Sequence, residues 1–279
     1  MPEKVNLNAY FERIGFAGSI APSLATLELL HALHPAAIPF ENLDPLLGRP
    51  VRLDQHSLER KLLGEKRGGY CFEHNLLFMR ELAELEYSAR PLLARVLWND
   101  ADNATRPPTH MLVLVEVNKQ AYLADVGFGG LTLTTPLRLR ADVEQATPHE
   151  TFRLSGGDPD WRLDVRIGED WRAVYMFTLD PVGMDEIEAI NTRLSTDPAS
   201  AFTRQLRVAL APSGRRLKLW NDTFTIQPVE GEAEKRRIES LDDFKQVLES
   251  EFGLVPPDTE GLDAVLSRLL SPTAPEPSA

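Results

Sequence analysis

The stretch Arg67-Gly68-Gly69-Tyr70-Cys71-Phe72-Glu73-His74-Asn75 holds the only cysteine of the 279-residue chain. From Phe72 onward, apolar residues recur at Leu76, Met79 and Ala83, a spacing that predicts a helix with one apolar face. The glycine pair therefore delivers Cys71 to a helix N-terminus, where unpaired N–H groups and the macrodipole favour an anion. A thiol at such a place is expected to ionise readily. A lone cysteine is more often an inert core residue, but a packing cysteine has no need of Gly-Gly immediately before it. Cys71 is accordingly read as a nucleophile.

A thiolate nucleophile needs a base, and the base needs an orienter. The six histidines are His31, His34, His56, His74, His110 and His149. His31, His34 and His74 fall in helical patterns, and His56 and His149 in polar stretches. His110 differs, because it follows Pro107-Pro108-Thr109 and opens an apolar strand over residues 111–117. A second strand, residues 121–126, follows at once and runs into Asp125-Val126-Gly127-Phe128-Gly129-Gly130.

The geometry of this strand pair follows from its turn. If Asn118-Lys119 is a two-residue hairpin turn, with Asn118 tolerating positive φ, Val117 faces Gln120, Leu112 faces Asp125 and His110 faces Gly127. His110 and Asp125 are then offset by two residues and share one face of the sheet. Diagonal neighbours lie roughly 7–8 Å apart at the backbone, a gap that imidazole and carboxylate can bridge. Taken singly, His110 reads as a strand-start histidine and Asp125 as a cap for the glycine-rich loop. Their shared face, with a cysteine at a helix start, points to a Cys–His–Asp triad of Cys71, His110 and Asp125.

On these residues the chain resembles the arylamine N-acetyltransferase family. The match runs from Pro39-Phe40-Glu41-Asn42-Leu43 through Arg67 to Asn75 and Thr109-His110 to Asp125-Val126-Gly127-Phe128-Gly129. The resemblance implies an α+β fold: an N-terminal helical bundle over 1–88 with the nucleophile, a central antiparallel β-barrel over 89–197 with His110 and Asp125, and a C-terminal α/β lid over 198–279. The triad it implies is cysteine-protease-like. It also implies acceptor contacts from Phe40, Val96 and Phe128, and contacts to coenzyme A from Thr109, Gly129 and Phe202. The Cys71 backbone N–H is one candidate for an oxyanion hole, and the resemblance adds that of Thr109.

The wider sequence agrees coarsely. Residues 1–88 read helical, with apolar spacing at Leu24, Leu27 and Leu30 and an amphipathic stretch at 54–63. Strand-like runs cover 92–98, 111–117, 121–126, 161–167 and 171–177, separated by Gly, Pro, Asp and Asn clusters. Helical spacing returns at 241–252 and 262–270, and 271–279 reads as a disordered Pro/Ser tail. Arg67 and Glu41 flank the catalytic turn and are expected to tie two loops through a bidentate pair.

Composition excludes several classes. A net charge of −12 argues against nucleic acid as the main partner. One cysteine rules out an intrachain disulfide and suits a reducing compartment. With neither a membrane-length apolar run nor a basic-then-apolar leader, the chain reads as cytoplasmic. No metal is expected, since a zinc site would rest on His31 and His34 alone. A homodimer is among the assemblies expected.

Between Asp197 and Asp222 there is no acidic residue, yet Arg204, Arg207, Arg215, Arg216 and Lys218 lie there. In so acidic a protein this segment suggests a phosphate-bearing ligand, and acetyl-CoA as cosubstrate supplies one. The expected activity is ping-pong acetyl transfer to small arylamine, arylhydrazine or arylhydroxylamine acceptors through an acetyl-cysteine. A thiol hydrolase or transglutaminase-like acyl transferase is the alternative, because the same triad serves both.

Overall fold

The computed structural model describes residues 5–100, 104–257 and 259–270; the tail expected at 271–279 lies outside them. The chain starts with α1 (Leu7–Ile14) and α2 (Leu24–Ala37). Asn6 caps the first by accepting the Ala9 N–H, and Ser23 caps the second by accepting the Thr26 N–H. A two-residue strand β1 (Phe40–Glu41) and the short helices α3 (Leu43–Leu46) and α4 (Gln55–Leu58) follow, and α4 continues into a π-helical segment, Glu59–Gly64. Helix α5 (Cys71–Glu84) starts at the cysteine itself, as its apolar spacing predicts.

Eight antiparallel strands come next: β2 (Ser88–Val96), β3 (His110–Val117), β4 (Gln120–Ala124), β5 (Leu137–Arg138), β6 (Val143–Ala146), β7 (Thr151–Gly156), β8 (Trp161–Ile167) and β9 (Asp170–Phe177). They form one sheet in the order β5-β4-β3-β2-β9-β8-β7-β6. Its two edges meet through Gln145, whose side chain accepts from Arg138 N at 2.8 Å and donates to Arg138 O at 3.0 Å. The sheet is thus a nearly closed barrel. Its inside is filled by Leu92, Leu112, Leu123, Phe152, Leu163 and Tyr175, while Met111, Val113, Val115 and Ala124 on the opposite face of β3 and β4 pack with α5. Alternate residues of one strand therefore serve two cores.

Asn118 and Lys119 both have positive φ, 51° and 62°, the backbone of a two-residue hairpin whose twist suits its strands. Val117 pairs with Gln120 and Val113 with Ala124, the register expected from that turn.

After β9 the chain forms α6 (Met184–Thr196), and then β10 (Arg207–Leu210), β11 (Arg215–Trp220), β12 (Thr223–Pro228), β13 (Glu234–Arg237), α7 (Leu241–Ser250) and α8 (Leu262–Leu269). Strands β10–β13 and β1 make a second sheet in the order β1-β10-β11-β12-β13. One face carries Val208, Leu217, Leu219 and Phe224, buried with Phe244, Val247 and Leu266 of α7 and α8. The other face turns back toward the first two regions through Phe40, Ala209 and Phe202.

Several details differ from the sequence expectation. The stretch 89–197 ends in helix α6, whose Ile187 and Ile190 join the core of the N-terminal helices. Tyr70 fixes it there by donating its hydroxyl to Asn191 Oδ1. Phe40 and Glu41 are paired with Ala209 and Val208 rather than lying in a loop. Strands β5, β6 and β7 were not expected. Among the described residues, no helix is long and apolar enough to cross a membrane.

Candidate active site

The turn before Cys71 is built by close approach. A Cβ on Gly68 would stand 1.8 Å from the Pro39 carbonyl oxygen, and one on Gly69 would stand 2.7 Å from Glu73 Oε2. The glycines let Glu41 donate its N–H to Gly69 O at 2.7 Å and let Tyr70 donate its own to Glu73 Oε2 at 3.0 Å. The second bond is half of a capping box, which starts α5 at Cys71.

Behind this turn lies a buried ion cluster. Arg67 donates from Nε and Nη2 to Glu41 Oε1, at 2.9 and 2.6 Å, and Nη2 also lies 3.3 Å from Asp44. Lys61 bridges Asp44 at 2.7 Å and Glu73 at 2.6 Å. The Arg67–Glu41 tie is present, but both nitrogens converge on one oxygen, because Oε2 accepts the Leu43 N–H at 2.6 Å. Three carboxylates share two buried cations here, with the exposed Arg49 3.5 Å from Asp44. Burial raises Glu73 to about 6, outweighing the pull of Lys61.

His110 and Asp125 lie on the shared face that their register requires. His110 donates from Nε2 to Asp125 Oδ2 at 2.7 Å, and both side chains are buried. Burial alone would lower His110; the Asp125 charge and hydrogen bond, followed by Cys71, outweigh it and raise the imidazole to about 10. Burial would raise Asp125, but the His110 charge and the bonds from His110, Asn75 and Gly127 hold it below the usual carboxylate range. Cys71 Sγ lies 3.9 Å from the Thr109 carbonyl oxygen, next to the histidine. The structure therefore brings a sulfur, a charged imidazole and its carboxylate to one place.

Two residues without an assigned role hold this pair. Asn75, one turn beyond Cys71, donates through Nδ2 to Asp125 Oδ1 at 3.0 Å and to Met111 O at 2.7 Å, and it accepts the Val126 N–H at 3.1 Å. His31 of α2 accepts the Asp125 N–H through Nε2 at 3.1 Å. Spacing of i and i+4 from the cysteine signals that Asn75 shares its helix face. Nothing local signals His31, whose partner is 94 residues away. Tyr175 is a further such residue: its buried ring lies 5.3 Å from His110 and 5.4 Å from Phe128.

Behind the cysteine helix, three side chains form a directed chain. His74 Nε2 faces the Pro39 carbonyl at 3.1 Å, so it must donate. Its Nδ1 must then accept from His34 Nε2 at 2.9 Å, which leaves His34 Nδ1 to accept the Tyr10 hydroxyl at 2.9 Å. All three groups are neutral in this order, as burial requires; it lowers His34 well below its usual value and His74 to about 4. Among the described residues, no three His, Cys, Asp or Glu side chains gather as a metal site would.

The residues expected to contact acceptor and donor fall into two groups. Phe128 meets His110 edge-on at 5.1 Å, and Val96 lies opposite Tyr175 on the face that carries His110. Phe40 stacks on His74 and lies 6.5 Å from Phe202, whose ring is 5.2 Å from Tyr70. Gly129, at φ 84°, lines a small cavity with Phe40, Val126, Thr132 and Ala209. Thr109 departs from expectation as an oxyanion donor, because its N–H donates to Ala94 O at 3.0 Å as β3 begins.

The basic segment is not one surface. Arg216 is buried, donates to both oxygens of Glu150 at 2.7 and 2.6 Å and to Thr132 O at 2.8 Å, and so is a structural cation. Arg204 turns back onto the carbonyls of Ala199 and Ser200. Arg215 is exposed at the start of β11.

Comparison with known proteins gives the family and the fold. Residues 23–258 match the family model described as N-acetyltransferase. An arylamine N-acetyltransferase of Escherichia coli (strain K12) is 40% identical over 249 residues, which cover 89% of this chain and 88% of that protein. The solved structure of the arylamine N-acetyltransferase from Salmonella typhimurium superposes with a TM-score of 0.88 at 38% identity, covering 96% of this chain and 99% of the other. The Mycobacterium marinum arylamine N-acetyltransferase in complex with CoA gives 0.89 at 34% identity, covering 95% and 99%.

Proposed function

This chain belongs to the arylamine N-acetyltransferase family and is an acyltransferase, and from that premise we propose that it carries acetyl groups from acetyl-CoA to arylamines by way of Cys71. The observation that carries the reading is the 2.7 Å bond from His110 to Asp125 beside the helix-start cysteine. In the first half-reaction the Cys71 sulfur attacks the thioester carbonyl of acetyl-CoA. The C–S bond to coenzyme A breaks, and the departing thiolate takes the proton held by His110. In the second, the nitrogen of an arylamine, arylhydrazine or arylhydroxylamine attacks the acetyl-cysteine. His110 receives the amine proton as the C–S bond to Cys71 breaks. Asp125 fixes the imidazole and stabilises its charged form. The Cys71 N–H, at the first helical position and without an intrahelical acceptor, serves the oxyanion.

The same reading gives each region a task. Residues 1–88 supply the nucleophile, 89–197 supply His110 and Asp125, and 198–279 cover the donor. Phe40, Val96 and Phe128 line the acceptor side, and Thr109, Gly129 and Phe202 the donor side. A hydrolase would share the triad, but the family gives that reading no support. Steady-state kinetics with acetyl-CoA and an aniline test the proposal. Parallel double-reciprocal lines are expected; lines that intersect would mean that both substrates must be bound together.

A further inference from the structure

Arg207 stands apart from the other basic residues of its segment. It lies on β10 directly opposite Trp220 of β11, and two residues from Ala209, which pairs with Phe40. Alternation puts Arg207, Ala209, Trp220 and Phe40 on the same face of the second sheet, the one turned toward the cysteine. Its guanidinium lies 4.4 Å above Trp220 and 5.6 Å from the centre of the Phe202 ring. Phe202 in turn touches Tyr70, the neighbour of Cys71.

The cation is ordered but not neutralised. Asn42 pins the segment around it, accepting the Arg207 N–H at 2.7 Å and donating to the carbonyls of Phe202 and Gln205 at 2.8 and 2.7 Å. Arg207 itself donates from Nη2 to the neutral amide oxygen of Gln205 at 3.1 Å, and its Nε is buried without a partner. Among the described residues no carboxylate pairs with it, whereas Arg216 is neutralised by Glu150. Burial lowers Arg207 to about 10 with no opposing charge to offset the penalty. A partly buried guanidinium held over an aromatic ring, with an Nε–H that meets no acceptor among the described residues, is a fork set for an oxyanion.

We propose that Arg207 receives a phosphate group of the acetyl-CoA donor, with Trp220 and Phe202 holding the guanidinium in place. Coenzyme A carries its phosphates a pantetheine arm away from the sulfur, so their site cannot be at Cys71 itself. Arg207 lies on the face turned toward the cysteine, with Phe202 and Tyr70 between it and Cys71. The pyrophosphate and the 3′-phosphate offer the same chemistry to a guanidinium, and they can be separated by experiment. The inference rests on acetyl-CoA being the donor.

The test is the apparent KM of wild type, Arg207→Gln and Arg207→Lys for acetyl-CoA and for 3′-dephospho-acetyl-CoA, with p-nitrophenyl acetate as a donor that lacks phosphate. Arg207→Gln should raise the KM for acetyl-CoA by about tenfold or more, the scale of one charged hydrogen bond, with a much smaller change in kcat. Acetylation of Cys71 by p-nitrophenyl acetate should change far less. Arg207→Lys, which keeps charge without the fork, should fall between and guards against a folding defect in the glutamine variant. If the 3′-phosphate is the partner, the penalty of Arg207→Gln disappears with the dephospho donor; if it is the pyrophosphate, the penalty persists. An unchanged KM for acetyl-CoA in both variants, or equal losses with the phosphate-free donor, would overturn the inference. Failure of the wild type to acetylate Cys71 from acetyl-CoA would instead overturn the reading beneath it.

Discussion

Asn75 donates to Asp125 Oδ1 at 3.0 Å, so the helix that begins at Cys71 also grips the carboxylate that holds His110. One element thus fixes both ends of the proposed triad. Asn75→Ala should leave the fold standing while lowering kcat for acetyl transfer by about 10–100-fold, the scale of one lost hydrogen bond to a charged group. Asn75→Asp should cost more, because a second carboxylate beside Asp125 raises its pKa and weakens its hold on His110. Thermal melts alongside kcat decide the matter: a kcat loss matched by unfolding would make Asn75 only a structural strut.

The negative charge of Asp125 does most to keep His110 protonated against burial. Asp125→Asn should let the buried imidazole titrate several units lower than about 10 and become neutral at neutral pH. Acetyl transfer should fall by roughly 10³–10⁴, as in other triads that lose their orienter. Iodoacetamide should also alkylate Cys71 more slowly at pH 7, since the sulfur loses its imidazolium neighbour. Unchanged alkylation kinetics would detach Asp125 from the cysteine and leave it a loop cap.

Arg216 and Glu150 should matter for stability rather than for the donor. Arg216→Glu would bury two carboxylates together and cost about 3–5 kcal/mol. Denaturant unfolding should show this loss, and the exchange Arg216→Glu with Glu150→Arg should restore part of it. A stable Arg216→Glu protein with a raised KM for acetyl-CoA would reverse the assignment.

Glu81 of α5 buries both carboxylate oxygens without a partner among the described residues. Burial, then the charges of Glu59 and Glu84, raise it to about 8. The folded state therefore binds the proton more tightly than the unfolded chain does, in which a glutamate titrates near 4.5. The stability this gives is full below about pH 4.5. It is lost at about 1.4 kcal/mol per pH unit as the pH rises toward 8, where Glu81 ionises. Glu81→Gln removes that slope. Unfolding at pH 5, 6.5 and 8 should show the wild type weakening relative to Glu81→Gln; a difference independent of pH would contradict the assignment.

The proposed site was legible where its signals are local. Gly68 and Gly69 announced the helix start, and Asn118-Lys119 set a register that put His110 and Asp125 on one face. The remainder depends on partners far along the chain. The strand at Phe40–Glu41 exists because it meets Ala209 and Val208, and His31 matters because Asp125 turns its N–H toward it. Strands β5 and β6 span two and four residues, too few for period-two alternation to emerge. Helix α6 does carry apolar spacing at Ile187, Ile190 and Leu194, but it directly follows a strand-rich stretch with which its sequence merges. The five basic residues after Asp197 look alike in sequence; burial and partners separate a structural cation at Arg216, paired with Glu150, from Arg207, which meets no carboxylate among the described residues.

The central claim is that Cys71 carries the acetyl group. The direct measurement is intact-protein and peptide mass spectrometry after incubation with acetyl-CoA in the absence of acceptor. The account predicts one acetyl adduct, on the peptide containing Cys71, that disappears when an arylamine is added and never forms in Cys71→Ser. An adduct elsewhere, or acetyl transfer by Cys71→Ser at more than a few per cent of the wild-type rate, would contradict it.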